Sequence, residues 1–79
     1  MLDLEPHLVR IEADASAGLL PRVTGILARR GIVPQMVRAS KIGEAIFIEL
    51  RMDGLDETVL RPLIGNFWQM VEVRAVDLG

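Results

Sequence analysis

His7-Leu8-Val9-Arg10-Ile11-Glu12-Ala13-Asp14-Ala15-Ser16-Ala17-Gly18-Leu19-Leu20-Pro21-Arg22-Val23 is the stretch whose reading decides the fold. Its hydrophobic period changes midway. Val9, Ile11 and Ala13 alternate with Arg10 and Glu12, the pattern of a strand with one buried face. Asp14 to Gly18 is a turn of small and polar residues. Beyond it Leu19, Leu20, Val23, Ile26 and Leu27 share one arc of a helical wheel, with Arg22, Gly25 and Arg29 opposite. Pro21 has no N–H and fits only a first helical turn, so it fixes the helix start, with Gly18 or Ala17 as N-cap. The helix is expected to run to about Arg30. Arg29-Arg30 suit the negative end of its dipole, and Gly31 is a natural residue to follow the cap.

Working outward, Ile32 to Ser40 reads as a second strand. Pro34 near its start marks it as an edge, since a central strand would lose a ladder hydrogen bond there. Lys41-Ile42-Gly43-Glu44 reads as a hairpin turn and Ala45 to Met52 as a third strand. Ile46, Ile48, Leu50 and Met52 face one way in it. Phe47, Glu49 and Arg51 face the other, and Phe47 is the odd member of that polar face. Asp53-Gly54 breaks the strand. A second helix follows, capped by Asp56 or Asp53, with Val59, Leu60, Leu63, Phe67 and Met70 on its core arc. Pro62 falls inside this helix on the polar side, where a bend would leave it convex to solvent. Val71 to Val76 reads as a fourth strand, and residues 1–6 are expected to fray. The order βαββαβ predicts an α+β, ferredoxin-like fold over residues 1–79: a four-stranded antiparallel sheet with two helices on one face.

The composition narrows the function. The chain has 79 residues, no Cys and a single His, so disulfides and zinc clusters are excluded as staples. It is 51% hydrophobic with a mean hydropathy of +0.35. A core of this size rarely supplies more than ~3–5 kcal/mol. A small apolar chain without covalent staples points to stability through association, hence a homodimer. No apolar run approaches the ~20 residues of a membrane span, so no membrane partner is expected. A net charge of −2 and only three aromatic residues, Phe47, Phe67 and Trp68, argue against nucleic-acid binding. The acidic N-terminus lacks the basic region of a signal peptide and the absence of Cys fits a reducing compartment, so a cytoplasmic location is expected.

Chemistry-bearing residues are sparse. The sole histidine, His7, stands at the start of the first strand, and Ser16 and Ser40 have no second histidine to activate them. Asp56-Glu57 is a capping and first-turn pair. Gly18, Gly25 and Gly31 do not match phosphate-loop or dinucleotide spacing. No catalytic residue, metal site or cofactor is therefore expected, and the chain reads as a non-enzyme. Arg10, Glu12, Glu49, Arg51, Glu72 and Arg74 alternate in sign on the polar sheet face. That face is either solvated or a surface that docks on another protein.

The segment Ala15-Ser16-Ala17-Gly18-Leu19-Leu20-Pro21-Arg22-Val23, followed by Leu27-Ala28-Arg29-Arg30-Gly31-Ile32, resembles the ACT domain. That family shows an Asn-x-Pro-Gly turn, a Val/Leu-Leu pair opening the first helix and an Arg-Gly closing it. The resemblance extends through Ile46–Leu50 and Val71–Val76, about residues 7–77. It is greatest to the short single-domain small regulatory subunit of acetolactate synthase. It implies a homodimer whose sheets join or face each other, with an amino-acid effector at the interface. It also implies a thiamine-diphosphate-dependent large subunit as partner, or alternatively a stand-alone amino-acid sensor. The family's turn Asn and Pro are Ala15 and Ala17 here, and the Asn that often follows the helix is Val33. Among the positions that line the family's effector site, only Gly18, Leu19 and Leu20 keep their family identities. Their N–H groups at a helix N-terminus offer an anion site for an effector carboxylate, with Asp14 or Ser16 as substitutes to hold its amino group.

Three residues are candidates for partner contact. Phe47 stands on the outer sheet face. Ile64 and Trp68 lie one turn apart at the shoulder of the second helix's core arc. Both are expected to pack down on the sheet rim, since tryptophan is usually largely buried. If exposed instead, the pair is an anchor for a partner protein.

Overall fold

The computed structural model describes residues 6–79. The expected fraying of residues 1–6 lies, Pro6 apart, outside the described residues. The elements are β1 (His7–Asp14), α1 (Leu19–Arg29), β2 (Met36–Ile42), β3 (Ala45–Met52), α2 (Glu57–Trp68) and β4 (Val73–Leu78). They form one antiparallel sheet in the order β2-β3-β1-β4, with both helices on one face. This is the predicted βαββαβ arrangement.

The core lies between sheet and helices. Val9, Ile11 and Ala13 of β1 and Ile48, Leu50 and Met52 of β3 point into it. Leu19, Val23, Ile26 and Leu27 meet them from α1, and Leu60, Leu63 and Phe67 from α2. The described residues bury no polar or charged side chain in that core. Local chemistry fixes the end of α1 and the start of α2. After α1 the N–H of Gly31 bonds the Ala28 carbonyl at 3.0 Å and that of Ile32 bonds the Leu27 carbonyl at 2.9 Å. This is a Schellman closure, and it needs the left-handed φ of +69° at Gly31. Asp56 caps α2, its carboxylate accepting the Val59 N–H at 3.2 Å. Pro62 sits inside α2 on its exposed side, as the wheel predicts.

Two strands are displaced from their predicted positions. Ile32 to Gln35 is a loop rather than strand, because the closure at Gly31 turns the chain and Pro34 cannot donate to a ladder. The β2–β3 ladder begins only at Met36. It continues through Ile42, so the hairpin turn is just Gly43-Glu44, with Gly43 at φ +61° in its first central position. Pro34 therefore precedes the edge strand it was read to mark, although β2 is an edge. Similarly, β4 starts at Val73 and runs to Leu78. Met70 stays anchored in the core, and Val71 and Glu72 belong to the reversing turn. Val71 is 90% exposed. A bulge in the β1–β4 ladder at Glu12/Ala13 then resets which β4 residues face inward.

Candidate functional site

The entrance to α1 is built from three backbone bonds. The Asp14 N–H donates to the Glu72 carbonyl at 2.9 Å, tying the end of β1 to the turn before β4. The Ala15 N–H donates to the Glu44 carbonyl at 2.8 Å, tying it to the β2–β3 hairpin. The Leu19 N–H turns back on the Ser16 carbonyl at 3.1 Å. One of the three N–H groups expected to face an effector is thus committed, and Pro21 has none. Gly18 and Leu20 supply the remaining first-turn donors at the positive end of the helix. Gly18 takes ordinary helical angles, φ −83° and ψ −7°, and no side chain caps the helix.

The five predicted site residues do not converge. Ser16 and Gly18 sit at the turn itself, Ser16 half-buried and Gly18 exposed. Leu20 packs half-buried against the core, and Leu19 is fully buried within it. Asp14 lies on the outer sheet face. There its two carboxylate oxygens accept from Arg74, Nε at 3.1 Å and Nη2 at 2.8 Å. The bidentate bond with Asp14, then its charge, raises the affinity of the Arg74 guanidinium for its proton.

Two residues that the sequence pattern does not single out stand at this entrance. Arg22 reaches back along α1, its Nε 3.2 Å from the Gly18 carbonyl, and pairs with the Glu72 carboxylate. The second Glu72 oxygen is buried without a partner among the described residues. Glu72 was expected on the polar sheet face. The later start of β4 places it in the turn, reaching the helix side instead. Its signal is hidden in the sequence by that shift in strand position.

The partner-contact candidates separate too. Ile64 is half-buried against the core, as expected, but Trp68 is 49% exposed, which corrects the expectation that it packs down. It is the last residue of α2. Phe47 is 39% exposed on the outer sheet face. Around it Arg10 Nε stands 3.3 Å and Arg38 Nη1 3.5 Å from Glu49 oxygens. His7, at the strand end, donates from Nε2 to the Leu55 carbonyl at 3.2 Å and ties β1 to the loop before α2. Among the described residues no cluster of three or more His, Cys, Asp or Glu is placed to hold a metal ion. No helix among them is long and apolar enough to cross a membrane.

No protein-family model and no curated protein matches the chain. Solved structures do match it. The crystal structure of the ACT domain from GTP pyrophosphokinase of Chlorobium tepidum superposes with a TM-score of 0.85 at 14% identity, covering 99% of this chain and 100% of that one. The C-terminal domain of the MgtC protein from Mycobacterium tuberculosis gives 0.78 at 18%, covering 100% and 89%. The acetolactate synthase small subunit from Thermotoga maritima gives 0.78 at 19%, covering 95% of this chain and 47% of that one. Element order, strand order and the two-helix layer agree with these superpositions: the chain has the ACT-domain fold.

Proposed function

We propose that this chain is a non-catalytic ACT-type regulatory domain. It acts as a dimeric small subunit of an acetolactate synthase or a related amino-acid biosynthetic enzyme. The observation that carries the reading is the α1 entrance within an ACT fold: a helix N-terminus that no side chain caps, beside Glu72, which pairs with Arg22 and keeps one buried oxygen without a partner among the described residues. An α-amino acid presents the matching pair of charges. Its carboxylate suits the N–H groups of Gly18 and Leu20, and its ammonium suits Glu72 or Ser16. Alanine at position 15 and valine at 33 offer no side-chain donor where the resembling family has asparagine. Each lost charge-assisted bond costs ~1.5–3 kcal/mol, a roughly 10- to 100-fold weaker complex, so effector binding is weak.

The test is reconstitution. Adding the chain to an untagged thiamine-diphosphate-dependent large subunit of acetolactate synthase raises or reshapes its activity. No effect at saturating chain sinks the small-subunit reading. The second reading, a stand-alone sensor, is favoured by the same entrance. It predicts a saturable thermal shift with valine, isoleucine, leucine or serine in the absence of any large subunit. Gly18→Val separates effect on the site from effect on the fold. A Cβ at Gly18 meets nothing within 4 Å and φ is ordinary, so the variant folds, yet its side chain fills the space a carboxylate needs.

A further inference from the structure

Strand pairing sets one row of charges across the outer sheet face. Arg38 on β2 lies opposite Glu49 on β3, Glu49 opposite Arg10 on β1, and Arg10 opposite Asp77 on β4. The signs run plus, minus, plus, minus in the order of the strands. Such a row is its own complement under a two-fold axis that runs along the strands between β3 and β1. The rotation lays β2 over β4 and β3 over β1. Arg38 then meets Asp77 of the second copy, and Glu49 meets its Arg10, so that all four charges of each row find an opposite.

The adjoining row is Ser40, Phe47, Glu12 and Ala75. The same rotation brings the two Phe47 rings side by side about the axis. Beside each ring is a hollow of about 350 Å³, framed by Arg10, Glu12, Arg38, Ser40 and Asp77. Facing sheets pack ~10 Å apart with interdigitating side chains. A phenylalanine from the second copy fits such a hollow by size, beside Phe47 and along the aliphatic stems of Arg10 and Arg38. The sheet edges are less suited to association. β2 turns Lys41 toward the helix side, opposite Ile46, and the β4 ladder carries the bulge. Inward charges and bulges are devices that keep edges from pairing.

We propose that the outer sheet face, centred on Phe47 and the Arg38–Glu49–Arg10–Asp77 row, is where two copies of this chain associate face to face. The inference rests on the dimeric reading above and adds its surface. Within one chain Arg38 and Asp77 stand on opposite edges, three strand spacings or ~14 Å apart, so they meet only between copies. The test is sedimentation at micromolar concentration of the wild type, Arg38→Asp, Asp77→Arg and an equimolar mixture of the two variants. Both positions are exposed, and unchanged circular dichroism confirms that the variants fold. The wild type is expected as a dimer. Each variant alone sets like charges against each other twice and dissociates about tenfold or more readily. The mixture restores every opposite pair and recovers the dimer. Phe47→Arg, with two cations at the axis, gives a monomer. If both single variants dimerise like the wild type, or the mixture does not recover, this surface is wrong while the dimeric reading stands. A monomeric wild type overturns both.

Discussion

Phe67 and Trp68 are neighbours in sequence with opposite surroundings. Phe67 is wholly buried in the core, whereas Trp68 ends its helix half in solvent. Truncation therefore has very different costs. Phe67→Ala is expected to destabilise the fold by ~3–5 kcal/mol, and Trp68→Ala to leave it within ~1 kcal/mol, as denaturant titration measures. Trp68, the only tryptophan, should emit red and be quenched readily by iodide in the isolated chain. Blue, protected emission would mean that the ring is covered. Asp56 gives a pH prediction of known sign. The Thr58 hydroxyl, then the Val59 amide, hold its carboxyl below the ordinary value of 3.8. A carboxyl lowered by folding contributes stability that is complete above its unfolded pKa and is lost as pH falls through the folded one. The first turn of α2 should therefore loosen only below about pH 3.8. Asp56→Asn, which keeps an acceptor but cannot titrate, should flatten that acid dependence of helicity in circular dichroism.

Both helices are legible in the sequence because their signals are local: Pro21 at one start, Asp56 at the other, Gly31 at one end. The strands are less so. Ile32 and Val33 have strand-forming side chains, but the closure at Gly31 spends them in a loop, where Val33 is 85% exposed. Val71 has the same side chain and the same fate in the turn before β4. The bulge in the β1–β4 ladder leaves no mark in the residues that form it. At the α1 entrance, Ser16 and Gly18 are legible as a turn, whereas Glu72 depends on where β4 begins. Asp14 reads as a turn residue, yet β1 continues through it and the strand alternation then sends it outward to Arg74. The helices also carry residues that the chain's own packing does not require. A Cβ at Gly25, half-buried on the flank of α1, meets nothing within 4 Å. Gly25→Ala should raise stability by about 1 kcal/mol, the difference in helix propensity. Pro62 removes an interior helix donor on an exposed face. Pro62→Ala should stabilise the fold by ~1–3 kcal/mol in denaturant titration. No gain would show that the packing of α2 favours proline at this position.

At the scale of the molecule, the sequence identifies a polar sheet face containing one misplaced phenylalanine. Only the registers turn that set into a grid with a sign order. Arg38 and Asp77 acquire meaning together because strand pairing sets them at opposite ends of one row. The buried core is small, with fifteen hydrophobic residues among those described, and no disulfide assists it. Association is therefore expected to form part of the folding free energy rather than an addition to a self-sufficient monomer. This has a measurable consequence. For a dimer that unfolds to separate chains, a tenfold rise in concentration adds ~1.4 kcal/mol per dimer, or ~0.7 per chain. In a domain of this length 1 kcal/mol corresponds to ~4–8 °C in melting temperature, so the shift should be roughly 3–6 °C per tenfold concentration. Calorimetry over two decades of micromolar concentration resolves that slope easily. The slope should persist at high salt, since it reflects stoichiometry. The melting temperature itself should fall as salt screens the exposed ion pairs at the rim. A melting temperature independent of concentration would show that the chain unfolds as a monomer.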